Sequence, residues 1–226
     1  MTTRTFLALV GSPRANNASG PLARYLADGL AARGWTVQTL SLPAVIRHPE
    51  RWAELEAAYR AADVIGLCFP LYVDSLPAEM TMALEQLAAL PPTERAQGIF
   101  ALSQCGFLEA EQNDVALAIC RTFAADAGLR WLGGLAIGGA GGALAGDWKK
   151  MGKMIAHITD ALDQTIAALD AGAAIPEATL ALIRKRFCPT WMYFALANIS
   201  MLIEARKHGV MWKINARPYA RDAARG

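Results

Sequence analysis

The sequence predicts an α/β fold: a five-stranded parallel sheet with helices on both faces, followed by a helical C-terminal extension. Three observations carry that prediction. Strand-like and helix-like patterns alternate five times between Phe6 and Leu169, with no Pro/Ser-rich linker dividing them. Regular βα alternation gives a parallel sheet with right-handed crossovers. The segments after strands one, three, four and five are the unusual parts of the chain. Sheets of this kind bind ligands beyond the carboxyl ends of their strands, at a switch in strand order.

Phe6-Leu-Ala-Leu-Val10 is a short apolar run that reads as a buried strand. Leu22, Leu26 and Leu30 then recur at i, i+4, i+8, one face of an amphipathic helix. Trp35 to Leu40 alternates apolar and polar residues and reads as the second strand, and Arg51 to Ala62 as a helix with Trp52, Leu55 and Tyr59 on one side. Val64 to Phe69 is a third, fully buried strand, and Pro77 to Leu90 a helix with proline in its first turn, where it is favoured. Gly98 to Ser103 and Trp131 to Ile137 supply strands four and five. They are followed by helices over Glu111 to Ala127 and Lys149 to Leu169.

Composition narrows the class. Apolar residues make up 54% of the 226 and charged residues 19%, enough for a filled core with little disorder. A net charge of +2 gives no case for nucleic acid as a partner. The four cysteines, Cys68, Cys105, Cys120 and Cys188, have no Cys-x-x-Cys pair and no metal spacing, so they fit reduced thiols of a cytoplasmic protein. The three histidines are likewise scattered, and no metal site is expected. No signal peptide or transmembrane stretch is read from the N-terminus or the interior.

The loop Gly11-Ser-Pro-Arg-Ala-Asn-Asn-Ala-Ser19 joins the first strand to the first helix. A helix N-terminus offers unpaired N–H groups and a positive dipole end, and Ser12, Arg14, Asn16, Asn17 and Ser19 add side-chain donors. The loop lacks the Gly-Lys-Ser/Thr of a nucleoside-triphosphate loop and the three spaced glycines of a dinucleotide fingerprint. A terminal phosphate monoester suits it better. The plain alternative is a helix cap by Ser19. After strand three, Pro70-Leu-Tyr-Val-Asp-Ser-Leu-Pro77 is a proline-bracketed loop suited to the edge of a flat heteroaromatic ring. After strand four, Gly106 permits close backbone approach and Phe107 offers a wall. Gly138 to Gly146, glycine-rich, reads as a flexible lid.

These motifs, Gly11-Ser-Pro-Arg14 with Ser19, the Pro70-Leu-Tyr72 to Pro77 loop, and Gly106-Phe107-x-Glu109, resemble the flavodoxin-like NAD(P)H-dependent FMN oxidoreductases. That group includes FMN, quinone and nitro-compound reductases, and the similarity spans roughly residues 4 to 170. The resemblance implies a flavodoxin-like three-layer sandwich over residues 1–172, with residues 173–226 as the helical extension. It implies FMN as cofactor and NAD(P)H as electron donor. Ser12, Arg14, Asn17 and Ser19 would then contact phosphate, and Pro70, Leu71, Tyr72 and Val73 would form the isoalloxazine loop. Gln104, Cys105, Gly106 and Phe107 would form a second ring-contacting loop. Ala18 and Met80 depart from the pattern, where a polar and a basic residue are common. The cysteine cluster of the iron-sulfur relatives is absent.

The activity implied is transfer of electrons from NAD(P)H through FMN to a quinone, flavin or similar small acceptor, with no side chain assigned as acid or base. A flavin-binding electron carrier or regulator without turnover is the alternative; shuttle flavodoxins tend to be strongly acidic, and this chain is not. In the extension, Pro176 to Arg186 reads as a helix, and Pro189 to Ile203 is densely apolar and aromatic, closed by cations and Gly209. Beyond Thr179 there are nine Lys and Arg against Glu204 and Asp222. The tail ends in Arg217-Pro-Tyr219, as in some members of the group. Packing on the pocket or on a second subunit, giving a dimer or tetramer, is favoured over membrane contact.

Overall fold

The computed structural model describes residues 3–91, 95–140, 148–213 and 215–216. The chain divides into two compact units, Met1–Phe187 and Cys188–Gly226.

The first unit is built on five parallel strands in the order β2-β1-β3-β4-β5. They are β1 (Thr5–Val10), β2 (Thr36–Ser41), β3 (Val64–Pro70), β4 (Gly98–Gln104) and β5 (Arg130–Ile137). The order reverses direction between β1 and β3, so the loops after these two strands diverge and leave a crevice. Successive residues of a strand point to opposite faces, which is why the inner strands are apolar throughout. Phe6, Ala8 and Val10 pack on one face with α1 (Ser19–Ala31), α6 (Ala156–Asp170) and α7 (Glu177–Ile183). Leu7 and Leu9 pack on the other with α3 (Trp52–Ala61), α4 (Ala78–Ala88) and α5 (Asp114–Asp126). The result is three layers, flavodoxin-like.

Several boundaries differ from those expected. A short helix, α2 (Leu42–Arg47), follows β2 directly, with Pro43 in its first turn. The helix expected from Glu111 begins with a 3-10 turn, Ala110–Asn113, and becomes α-helical at Asp114. The helix expected from Lys149 begins at Ala156, because Gly152 adopts φ 52° and ψ −126° within the preceding 3-10 segment. The segment after residue 172 is not wholly extension. Ile175 N–H donates to the Leu132 carbonyl (2.8 Å) and Thr179 Oγ1 to Gln164 Oε1 (2.7 Å), so α7 is laid on β5 and α6 and the first unit runs on to Phe187.

The second unit contains α8 (Thr190–Lys207) and a 3-10 turn at Met211–Lys213. Trp191, Phe194, Leu196, Ile199, Met201, Leu202 and Ile203 of α8 are exposed. Among the described residues no helix is long and apolar enough to cross a membrane. The Arg217-Pro-Tyr219 tail and residues 141–146 of the expected lid lie outside the described residues.

Candidate functional site

The loop after β1 starts at Gly11, whose N–H donates to the Cys68 carbonyl of β3 (2.9 Å). A Cβ at Gly11 would come within 2.8 Å of Met80 Cε and 3.2 Å of the Phe69 side chain, so a larger residue there would require Met80 to shift. This explains one departure noted in the sequence: Met80 is fully buried and packs under the loop, where a basic side chain would be stranded. The N-cap position is Ala18, and the side chain that reaches the first turn is that of Asn17, not Ser19. Asn17 Oδ1 accepts from the Gly20 N–H (2.7 Å), and its Nδ2 donates to the carbonyls of Arg14 (2.7 Å) and Ala15 (3.3 Å). Both ends of that amide are therefore spent on shaping the loop. Among the described residues, no hydrogen bond occupies the backbone N–H of Arg14, Ala15, Asn16, Asn17 or Ala18. The Arg14 guanidinium is exposed and has no carboxylate partner among them.

The loops after β3, β4 and β5 are tied together. Leu71 N–H donates to the Gln104 carbonyl (2.8 Å), Cys105 N–H to Ile137 (3.0 Å), and Ala140 N–H to Cys105 (2.8 Å). Tyr72 and Ser75 exchange backbone hydrogen bonds of 2.9 Å across Val73 and Asp74, both left-handed at φ 48° and 58°. That is the geometry of a type I′ turn, normally the province of Asn and Gly. Asn113, fully buried, fastens the β4 loop from below. Its Oδ1 accepts from Ser103 Oγ (2.8 Å), and its Nδ2 donates to the Ala110 carbonyl (3.0 Å) and reaches Cys105 Sγ at 3.4 Å.

These loops enclose a cavity of about 260 Å³, lined by Ser12, Arg14, Asn16, Asn17 and Ala18 on one side. Pro70, Leu71, Tyr72, Gln104, Cys105 and Gly106 line the other. Nine of the twelve residues singled out in the sequence thus meet in one place. Three do not line it. Ser19 is fully buried in the first turn of α1, and its hydroxyl has no partner among the described residues. Val73 is 97% exposed at the tip of its turn, and Phe107 is 60% exposed. Asn16, named among the loop's donors but not among the phosphate contacts, and Ala18, noted as a departure from the pattern, also line the cavity. Asn113 carried no signal in the sequence, since its partners lie in other elements.

Among the described residues no carboxylate lines the cavity. Burial pushes the Cys105 thiol up, aided by the Glu109 charge. Hydrogen bonds with Phe107, Asn113 and Gly139 oppose the shift without reversing it, so the group stays a thiol through neutral pH. Among the described residues, a Cβ at Gly106 would meet no protein atom within 4 Å. Unpaired N–H groups, a hydroxyl and a guanidinium on one side, with a tied wall of apolar side chains and backbone on the other, fit a phosphate joined to a flat ring.

The sequence of residues 5–106 matches the NADPH-dependent FMN reductase family. No curated protein matches. Among solved structures, the NADH:FMN oxidoreductase EMOB in its apo form superposes with a TM-score of 0.55 at 18% identity. It covers 83% of this chain and 97% of its own. An FMN-dependent NADH-azoreductase from Bacillus anthracis gives 0.54 at 9% identity, over 74% of this chain and 100% of that one. A flavodoxin from Streptococcus pneumonia TIGR4 gives 0.52 at 16%, over 74% and 99%. At these identities the likeness to solved structures is one of fold. Every residue lining the cavity lies within residues 5–106. The segment that builds β1 to β4 and the loops around the cavity is thus the part of the chain that matches the NADPH-dependent FMN reductase family.

Proposed function

We propose that this chain passes electrons from NAD(P)H through bound FMN to a quinone, a flavin or a similar small acceptor. The observation that carries this reading is the two-sided cavity, with open donors after β1 facing tied loops after β3 and β4. In this reading Ser12, Arg14 and the free N–H groups from Arg14 to Ala18 hold the flavin phosphate. Asn17 acts by holding those groups in place. Pro70, Leu71, Tyr72, Gln104, Cys105 and Gly106 receive the ring. FMN held there would supply the redox chemistry, a two-electron exchange between the nicotinamide and the acceptor. The protein's part is placement: among the described residues the lining holds neither carboxylate nor histidine, and Cys105 stays protonated, so no side chain is assigned to proton transfer.

Titration of the purified protein with FMN and with riboflavin tests the site. NAD(P)H oxidation with a quinone or free flavin as acceptor tests the activity. Tighter binding of FMN and acceptor-dependent oxidation are expected. Equal binding of FMN and riboflavin would return the loop to a plain helix cap, and FMN binding without turnover would make the chain a carrier or regulator.

The same reading assigns α8 to contact with a second copy of the chain. Its exposed apolar residues occupy more than one face, and a helix of that kind calls for burial on several sides. A chain ending at Phe187 is expected to lose the native oligomeric state in light scattering. A full-length protein that instead sediments with anionic liposomes would assign the helix to lipid.

A further inference from the structure

The helical layer that carries α4 and α5 has a groove of about 490 Å³ between these two helices. Each helix follows a strand of the parallel sheet through a crossover, so the two run in the same direction and finish at the same end of the layer. Leu76, Leu84 and Phe123 form a buried floor, and the small side chains of Thr81, Ala88 and Ala118 leave room above it. Val115 and Ile119 stand exposed on the α5 flank. The α5 lining recurs at Val115, Ile119, Thr122 and Asp126, alternate steps of four and three that mark a seam for packing on another helix.

The groove changes character along its length. The end at Leu76 and Val115 is apolar, whereas the other end is acidic, with Glu85 in the last turn of α4 and Asp126 closing α5. A carboxylate beside the C-terminal carbonyls of a helix is repelled by the helix dipole, which favours a cation there. Neither last turn contains a base, and neither carboxylate has a side-chain partner among the described residues. Two uncompensated acids at the end of an apolar groove suit a helix that is apolar along its body and basic at its C-terminus.

α8 has that form. Leu196, Ile199, Ile203 and Arg206 recur at steps of three, four and three, a seam that leaves out Asn198 and Ser200. Its three apolar members are exposed. Leu196 to Arg206 rises about 15 Å and Val115 to Asp126 about 16 Å, so apolar and charged contacts come into register together when α8 runs parallel to α5. Lys207 bonds to Glu204 (2.6 Å) and His208 lies 3.9 Å from the same carboxylate, whereas Arg206 has no ion pair among the described residues.

We propose that the groove between α4 and α5 receives α8 of a second copy of this chain, bringing Arg206 of one copy to Glu85 and Asp126 of the other. A two-fold pair gives one helix and takes one helix per copy, which fills both grooves and closes the assembly as a dimer. The apolar end of the groove includes Leu76, from the loop whose Tyr72 lines the cavity beside the β1 loop, so the docked helix begins behind that wall. The assignment rests on the reading of α8 as a contact between copies.

Sedimentation equilibrium of the full chain measures the dimer dissociation constant. Glu85→Lys/Asp126→Lys in the groove and Arg206→Glu on the helix should each raise it about tenfold, and the three changes together should recover most of that loss, because the charges are exchanged. No change with the groove variant, or additive losses in the combination, would overturn the proposal. A rise with Arg206→Glu and none with the groove variant would keep α8 as the contact between copies and reject this groove. In Ile119→Cys/Ile199→Cys, mild oxidation should give a species of twice the chain mass on a non-reducing gel. The four native cysteines are buried, and each single substitution serves as the control. A cross-link within one chain would show that α8 fills its own groove, and would overturn the proposal too. A wild type that stays monomeric at every concentration would remove the reading of α8, and the groove assignment with it.

Discussion

The loop after β1 and the loops after β3, β4 and β5 face one cavity, and they are held in opposite ways. The first keeps its backbone donors open: its internal bonds run through one side chain, Asn17, and the N–H groups from Arg14 to Ala18 have no partner among the described residues. The others spend their backbone groups on each other and on the buried Asn113. The difference separates two tasks. A charged phosphate is bound by donors that have no other partner, because an internal bond would have to be broken first. A ring edge is bound by shape, which requires that the wall does not move.

Substitutions on each side should therefore fail differently. Arg14→Ala removes a charge-assisted donor worth roughly 1.5–3 kcal/mol, so FMN should bind about tenfold to a hundredfold more weakly. Unfolding temperature in the absence of flavin should stay within a degree or two of the wild type, roughly what a surface substitution allows. A large stability loss would mean that the loop is structural. Asn113→Ala should show the reverse pattern. It strands the Ser103 hydroxyl and the Ala110 carbonyl in the interior, at a cost of about 2 kcal/mol in denaturant unfolding. Unaltered stability would show that the β4 loop does not depend on this anchor.

Gly106→Leu probes the wall without disturbing the core. No atom of the described residues lies where its Cβ would go, so circular dichroism should be unchanged, and flavin affinity should fall about tenfold through overpacking against the ring. Normal flavin content would move the ring away from the β4 loop. The smallest effect belongs to Ser19→Ala. This hydroxyl is buried and unpartnered, so its removal should leave FMN binding intact and change stability by less than about 1 kcal/mol, in the favourable direction. Weaker FMN binding in this variant would show that Ser19 turns into the loop when phosphate arrives.

What the sequence disclosed follows from the range over which each feature is encoded. β1 and β3 are written as continuous apolar runs, because both faces are covered, and α1 as leucines at helical spacing. The three loops were visible because their polar, proline and glycine residues interrupt those patterns. Side-chain direction was not visible. Val73 follows Tyr72 directly, yet the left-handed turn sends it into solvent, while Tyr72 lines the cavity. Ser19 has the chemistry of a phosphate ligand but sits one helical position too far into α1. Asn113 escaped notice because its role is set by Ser103 and Cys105, which reach it only once β4 and the following 3-10 turn have folded. The short α2 escaped notice because six residues after a strand carry too little periodicity to read.

The turn at Val73 and Asp74 has a consequence for how this protein would change under selection. A β-branched residue in the left-handed region costs of order 1–3 kcal/mol, and Val73 recovers none of it through packing, being almost wholly in solvent. Glycine or asparagine at this position is downhill in stability by a single substitution. A heat-challenge library selected only for folding should therefore enrich these residues at position 73 early. A parallel library selected for turnover should enrich them equally if the turn is a bystander. Retention of valine under the second regime alone would mark the turn tip as a surface that the electron acceptor touches.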